Sequence, residues 1–260
     1  MDDDPLTAAL RSAGCVFAEE EAALLRAECR DPADLDARLA RRVAGEPLEV
    51  VLGWAGFDGL RVPVAPGVFV PRRRSLLLVE VAATLARPGD VVLDLCCGTG
   101  ALAAAVSGRR PDVEVWAADL DAAAVACARR HLPPERVLHG DLFAPLPPDL
   151  RSRVGVLICN APYVPTAAIG AMPPEARDHE ARHALDGGAD GHEVHRRVLA
   201  EAGGWLRSDG VLLFECADTQ AATLLALVDE AGLVPGRHEA DSEADSEADG
   251  TVVVSGGQPA

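Results

Sequence analysis

Asn160-Ala161-Pro162-Tyr163 closes the apolar run Val154-Gly155-Val156-Leu157-Ile158-Cys159 and brings together a side-chain amide, a backbone carbonyl, a rigid ring and an aromatic plane. These groups suit a flat, nitrogen-bearing substrate. Asn160 Oδ1 and the Ala161 carbonyl are expected to accept the two N–H groups of an amide or exocyclic amine while Tyr163 packs on its plane. Upstream, Asp94-Leu95-Cys96-Cys97-Gly98-Thr99-Gly100 ends another apolar run and opens a helical one at Ala101. Glycines in such a turn let the backbone approach a bound ligand without a Cβ clash. The run departs from the dinucleotide fingerprint G-x-G-x-x-G, because residue 103 is alanine. Asp119, 21 residues after Gly98 and followed by Leu120, is placed to accept both hydroxyls of a ribose, and Asp141-Leu142-Phe143 to meet an adenine edge and face. Asp94, Cys96, Gly98, Gly100, Asp119, Leu120, Asp141, Leu142 and Asn160 are thus the candidate cofactor residues, and the cofactor is NAD or S-adenosylmethionine.

The run that ends in Asn160-Ala161-Pro162-Tyr163 separates these two. A dehydrogenase needs a proton donor or acceptor beside its substrate, whereas methyl transfer from a sulfonium is an in-line displacement that needs mainly orientation and a polar clamp. Asn160-Ala161-Pro162-Tyr163 contains no group that titrates near neutral pH, which favours S-adenosylmethionine.

Five apolar strand candidates position these residues: Val91–Cys97, Val113–Asp119, Arg136–Asp141, Val154–Asn160 and Val211–Cys216, with helical stretches between most of them and a last strand over Thr251–Ser255. Near-continuous apolar strands separated by amphipathic helices predict an α/β fold, a doubly wound parallel sheet whose ligands sit at the carboxyl ends of its strands. Ahead of it, Leu24, Leu25, Leu35, Leu39 and Val43 recur at helical spacing, and Asp31-Pro32 reads as a helix start. Two or three short helices are expected up to Ala44, ended by Gly45-Glu46-Pro47, with a hairpin-like connector over Trp54–Val70. Residues 239–250 spell E-A-D-S, E-A-D-S and E-A-D-G, whose six acids predict a solvated loop.

At 260 residues and 49% hydrophobic content the chain can bury a full core. Met1-Asp2-Asp3-Asp4-Pro5 has no basic or apolar leader character, and no run approaches the ~20 apolar residues of a membrane span, so a cytoplasmic location with no membrane partner is expected. Seven cysteines, an odd number without a C-x-x-C pair, fit reduced and mostly buried thiols. All 24 basic residues are arginine. Without lysine there is no Schiff-base chemistry of the pyridoxal type and no P-loop lysine. A net charge of −17 disfavours direct nonspecific binding of nucleic acid, whose affinity rests on basic side chains neutralising phosphates.

Over nearly its whole length the chain resembles the HemK/PrmC-type protein-(glutamine-N5) methyltransferases. The resemblance is carried by Arg41-Arg42 with Gly45-Glu46-Pro47-Leu48, Leu52-Gly53, Phe69-Val70-Pro71-Arg72, Val92-Leu93-Asp94-Leu95, Gly98, Gly100, Asp119, Gly140-Asp141-Leu142-Phe143, Asn160 with Pro162-Tyr163, and Ala184-Leu185-Asp186-Gly187-Gly188 with Asp190-Gly191. It implies a seven-stranded class I methyltransferase (Rossmann-like) domain over residues 71–260, a connector over 49–70, and an N-terminal helical substrate-recognition domain over 1–48. It also implies transfer of a methyl group from S-adenosylmethionine, leaving S-adenosylhomocysteine, to the amide of the glutamine in the Gly-Gly-Gln motif of a peptide chain release factor. Asp94, Gly98 and Gly100 would surround the methionine moiety, Asp119 the ribose, and Asp141 with Leu142 the adenine. Asn160 and the Ala161 carbonyl would hold the amide hydrogens, with Tyr163 over the plane. Methylation of an adenine or guanine amine in nucleic acid uses the same clamp and is the rival chemistry. A cofactor-binding paralogue without catalysis is the rival from another class.

Two positions depart from the family pattern. Ala161 stands where the family has the first proline of Asn-Pro-Pro-Tyr, which restores backbone freedom of roughly 0.4–1 kcal/mol while keeping the carbonyl. Pro71-Arg72-Arg73-Arg74-Ser75 stands where the family reads Pro-Arg-Pro-Glu-Thr-Glu, so an acidic loop has become basic, either to select substrate or as a solvated face. Two other motifs read as chance matches. His179-Glu180-Ala181-Arg182-His183 has zinc-protease spacing but little room for helix between Pro173-Pro174 and Gly187-Gly188, and Gly256-Gly257-Gln258 repeats the tripeptide the family modifies.

Overall fold

Hydrophobic runs that are buried on both sides set the centre of the fold, a computed structural model that describes residues 4–239 and 250–259. Val91–Leu95 (β3) and Val154–Cys159 (β6) are buried at every residue and pair in parallel. Successive side chains of each strand enter opposite cores: Leu93 and Leu157 face one apolar cluster, Val92, Val156 and Ile158 the other.

The chain enters through four helices, α1 (Pro5–Ser12), α2 (Ala18–Glu28), α3 (Pro32–Val43) and α4 (Leu48–Leu52). Leu6, Leu10, Ala22, Leu25 and Val51 form their shared core. Asp31 caps α3, its carboxylate accepting the Asp34 N–H at 2.9 Å, and Pro32 occupies the first helical turn, where its missing N–H costs nothing. α4 is a helix that the sequence pattern does not announce, because five residues after Gly45-Glu46-Pro47 are too few to display a period. The buried Arg42 of α3 bonds Glu21 of α2 at 2.6 Å and also reaches Glu175, joining the helical layer to the rest of the molecule.

Next comes the hairpin of β1 (Trp54–Phe57) and β2 (Leu60–Pro63), turned by Asp58-Gly59 with both φ angles positive, the two-residue geometry that matches strand twist. After α5 (Leu76–Leu85) and β3, the chain runs through α6 (Ala101–Arg109), β4 (Glu114–Asp119), α7 (Ala122–Ala128), β5 (Val137–His139), β6, α8 (Pro174–His179), α9 (Glu193–Ala202), β7 (Leu206–Ala217), α10 (Asp218–Glu230), β8 (Val234–His238) and β9 (Thr251–Gly257). The seven strands stand in the order β5-β4-β3-β6-β7-β9-β8, parallel except for β9, which is antiparallel to both neighbours. α5, α6 and α7 cover one face and α9 and α10 the other. Strand order reverses between β3 and β6, so a crevice opens where their carboxyl ends diverge.

Several expected boundaries shift. The third expected strand, Arg136–Asp141, is hydrogen-bonded only as Val137–His139, and no α-helix separates β5 from β6. β7 begins at Leu206 rather than Val211, with a register irregularity against β6. β8 went unread because Val234-Pro235-Gly236-Arg237-His238 holds residues that weaken a strand and are tolerated at an edge. Of the acidic repeat, residues 240–249 lie outside the described residues. Among the described residues, no helix is long and apolar enough to cross a membrane.

Candidate active site

The crevice at the switch point widens into a cleft of about 1280 Å³, its open mouth included, lined by the end of β4, the loops that follow β3, β4, β5 and β6, and the segment that leads into α5.

One wall is the turn after β3. Cys96 and Gly98 take left-handed φ angles of 55° and 53°, and the space a Gly98 Cβ would enter is open. The Gly98 N–H donates to Asp119 Oδ2 and the Asp121 N–H to Asp119 Oδ1, both at 2.8 Å. Each carboxylate oxygen keeps a second lone pair for a hydroxyl donor. Burial pushes the Asp119 carboxyl up from its ordinary range, opposed by those two N–H groups. Leu120 and Leu142 also line the cleft, as does Asp141, whose Oδ2 bonds Arg197 at 2.6 Å.

Two candidate cofactor residues sit behind this wall. Asp94 is fully buried beneath the turn, where Oδ2 accepts the Ala103 N–H at 3.1 Å and Oδ1 has no hydrogen-bond partner. Burial, with the nearby Asp119 adding to it, pushes its carboxyl up to about 8. At Gly100 a Cβ would lie 2.8 Å from Leu132 and 2.9 Å from Ala128, so this glycine permits close helix contact rather than ligand approach.

Asn160, Ala161, Pro162 and Tyr163 form the facing wall. Asn160 Nδ2 donates to Ser75 Oγ at 3.3 Å. The Tyr163 hydroxyl accepts from Arg74 at 3.2 Å and donates to Glu215 Oε1 at 3.4 Å, and its carbonyl accepts from Gln220 at 2.8 Å. Burial pushes the Tyr163 phenol up, so it stays neutral at physiological pH. The loop from Leu185 to Gly191 backs this wall. The Val164 N–H donates to the Leu185 carbonyl at 3.1 Å and the Gly187 N–H to the Val164 carbonyl at 2.8 Å. Side chains at Gly187 and Gly191 would collide with the carbonyls of Pro162 and Tyr163.

Two of the three arginines leave the solvated face, on which only Arg73 is exposed. Arg72 turns inward to Glu180, and Arg74 lies at the cleft between Tyr163 and Glu215. Glu180 also accepts the Val70 N–H at 3.1 Å. α8 ends at His179, and His183 lies on a separate 3-10 turn beside Asp121, so the H-E-x-x-H letters do not share a helix. Gly256 and Gly257 belong to β9, and Gln258 donates to the Gly203 carbonyl at 3.3 Å. Gly257 pairs with Val211 of β7, away from the strand's carboxyl end, where the cleft opens. Sequence reasoning missed Glu215 and Ser75; the lone acid within Leu212-Leu213-Phe214-Glu215-Cys216 was the available signal, since a charge in a buried strand requires partners.

The Methyltransferase small domain family profile matches residues 60–188. The chain is 35% identical over 198 residues to the release factor glutamine methyltransferase of Geobacter sulfurreducens, covering 75% of this chain and 69% of that protein. It is 39% identical over 208 residues to that of Mycolicibacterium smegmatis, covering 77% and 73%. For Streptomyces coelicolor the figures are 40% over 198 residues, covering 72% and 70%. Among solved structures, a methyltransferase from Pyrococcus furiosus shares the fold with a TM-score of 0.56 at 15% identity, covering 88% of this chain and all (100%) of that one. A ribosomal protein L11 methylase from Lactobacillus delbrueckii subsp. bulgaricus aligns with a TM-score of 0.50 at 13% identity, covering 75% and 83%.

Proposed function

As this chain belongs to the release factor glutamine methyltransferase family, we propose that its cleft seats S-adenosylmethionine against the turn after β3 and a glutamine side chain of a peptide chain release factor against Asn160–Tyr163. The protein is a methyltransferase that modifies a glutamine amide. Bound S-adenosylmethionine supplies an electrophilic methyl group on a sulfonium.

The residues present fit that ligand. Gly98 leaves an open cradle above the turn, and Asp119 offers lone pairs for the ribose hydroxyls. Asp141 and Leu142 flank the adenine end, with Cys96 and Leu120 in the wall between. Asp94 and Gly100 support the turn from behind.

The observation that carries the substrate reading is the Asn160 amide, whose Nδ2 is engaged by Ser75 Oγ, so that Oδ1 is the end offered as an acceptor. An amide nitrogen is a weak nucleophile because its lone pair is delocalised. Asn160 Oδ1 and the Ala161 carbonyl draw on the two amide hydrogens more strongly as the nitrogen gains positive charge, and so lower the barrier rather than merely tightening binding. Pro162 fixes the backbone of the clamp, and Tyr163, anchored at its hydroxyl, covers the amide plane. The helices of residues 1–48, with a core of their own and the Arg42–Glu175 tie, are the part we assign to recognising the protein substrate in the cytoplasm.

Incubation with methyl-labelled S-adenosylmethionine and a purified release factor tests the proposal. One added methyl should map to the glutamine of its Gly-Gly-Gln motif. Label recovered in nucleic acid instead, or cofactor binding without transfer to any protein, would overturn it.

A further inference from the structure

One charged group in the active site has no part in the clamp described above. Glu215 lies within the apolar portion of β7, between Phe214 and Cys216, with only 1% of its surface exposed. Leaving a carboxylate out of water costs several kcal/mol unless donors surround it. Here they come from two parts of the chain, Arg74–Ser75 and Asn160–Tyr163. Tyr163 Oη lies 3.4 Å from Oε1 and Arg74 Nε 3.6 Å from it, Oε2 has no hydrogen-bond partner, and burial pushes the carboxyl up against the opposing pull of Ser75, Arg74, Tyr163 and Asn160.

An ionised carboxylate only accepts hydrogen bonds, so every neighbour must turn a donor toward it. The two ends of an asparagine amide have the same shape and are distinguished by their partners alone. Asn160 Nδ2 donates to Ser75 Oγ, which leaves the Ser75 hydroxyl hydrogen to turn toward the unpartnered Oε2 of Glu215. On the other side, Arg74 donates to Tyr163 Oη, which directs the phenolic hydrogen to Glu215. Both chains of hydrogen bonds run toward the same carboxylate. With Nδ2 drawn inward, Oδ1 is the end left for the substrate. An amide turned the other way would set N–H against the N–H of a glutamine and leave both unpaired.

Building on the glutamine-amide reading, we propose that Glu215 is a positioning residue that sets the polarity of the Asn160 amide, acting through Ser75 and balanced by Arg74, so that the clamp presents acceptors to the substrate nitrogen. No proton or electron need move through it.

Glu215→Gln keeps the shape and adds donors where only an acceptor stood. The turnover number for release-factor methylation should fall roughly 10- to 100-fold, short of the ~10²–10³-fold cost of losing a direct transition-state contact, with affinity for S-adenosylmethionine unchanged. Combining it with Asn160→Ala should lower turnover no further than Asn160→Ala alone, because the second change removes the group through which the first acts. In NMR spectra of the full chain, the Asn160 side-chain amide signal, assigned by its loss in Asn160→Ala, should move in Glu215→Gln. That readout needs no substrate, so a moved signal with no methylation by the parent protein would refute the substrate reading and keep the positioning role. Unmoved signal and undiminished turnover, or independent multiplicative losses in the double variant, would overturn the positioning role and leave the substrate reading intact. Should Glu215→Gln fail to fold, Ser75→Ala breaks the same relay with the carboxylate retained; it should move the Asn160 signal and slow turnover, and no change in either would overturn the inference.

Discussion

Replacing Asp94 by asparagine should make the protein more stable at neutral pH and less stable in acid. Asp94 lies fully buried under the turn after β3, with its carboxyl pushed up to about 8 from 3.8. A folded-state value raised above the unfolded one means that the folded protein keeps a proton the unfolded chain gives up. The group's stabilising contribution is whole below pH ~3.8 and is lost as pH rises from there through about 8. At ~1.4 kcal/mol per pH unit, the loss reaches about 4 kcal/mol at pH 7. Asparagine needs no proton, and its carbonyl can still accept the Ala103 N–H, but its NH2 meets the position where Oδ1 has no partner, at a cost of about 1–3 kcal/mol. The variant should therefore gain about 1–3 kcal/mol at pH 7 and lose about the same near pH 4. Urea unfolding of both proteins at several pH values measures this directly. A stability difference independent of pH would show that Asp94 is ionised in the folded protein and would refute the reasoning.

Three further outcomes are expected. Asn160→Ala should lower turnover by about 10²–10³-fold while calorimetric affinity for S-adenosylmethionine stays unchanged; equal losses of both would mean that Asn160 serves the cofactor and not the substrate. Gly98→Ala places a Cβ in the open cradle at a positive φ, a conformation costing about 1–2 kcal/mol, and should weaken S-adenosylmethionine binding about tenfold or more, as read by titration calorimetry. Arg42→Met strands the buried Glu21 carboxylate and cuts the tie to Glu175, so chemical denaturation should show a loss of about 3–5 kcal/mol.

The central sheet was legible because β3 and β6 are buried on both faces, and their sequences carry that as unbroken apolar runs. β8 was not, since an edge strand can carry Pro235 and Gly236 and presents no such run. The four clamp residues were visible as a local motif, and the structure brings them together on one wall. What no local pattern could reveal was their support: Glu215 is 52 positions from Tyr163 in sequence, Ser75 is 85 from Asn160, and each meets its partner only once β6 and β7 are paired and α5 is docked. The arginine triplet shows the same limit from the other direction. Its charges left substrate selection and a solvated face equally open, and Glu180 and Glu215, both distant in sequence, draw Arg72 and Arg74 inward. Gly100 was legible as a glycine the turn needs but not for the reason it needs one, which is the approach of Ala128 and Leu132.

The loop behind the clamp changes where tolerance to mutation should lie. A proline at position 161 would stiffen the clamp through the chain itself, but the Val164–Leu185 and Gly187–Val164 hydrogen bonds hold it from outside, so alanine at 161 leaves the folded clamp no looser. The constraint is relocated rather than relaxed. Position 161 becomes free to drift among small residues that preserve its carbonyl, whereas Gly187 and Gly191, neither of which touches the reacting nitrogen in this arrangement, become positions where any side chain would lever the clamp out of place.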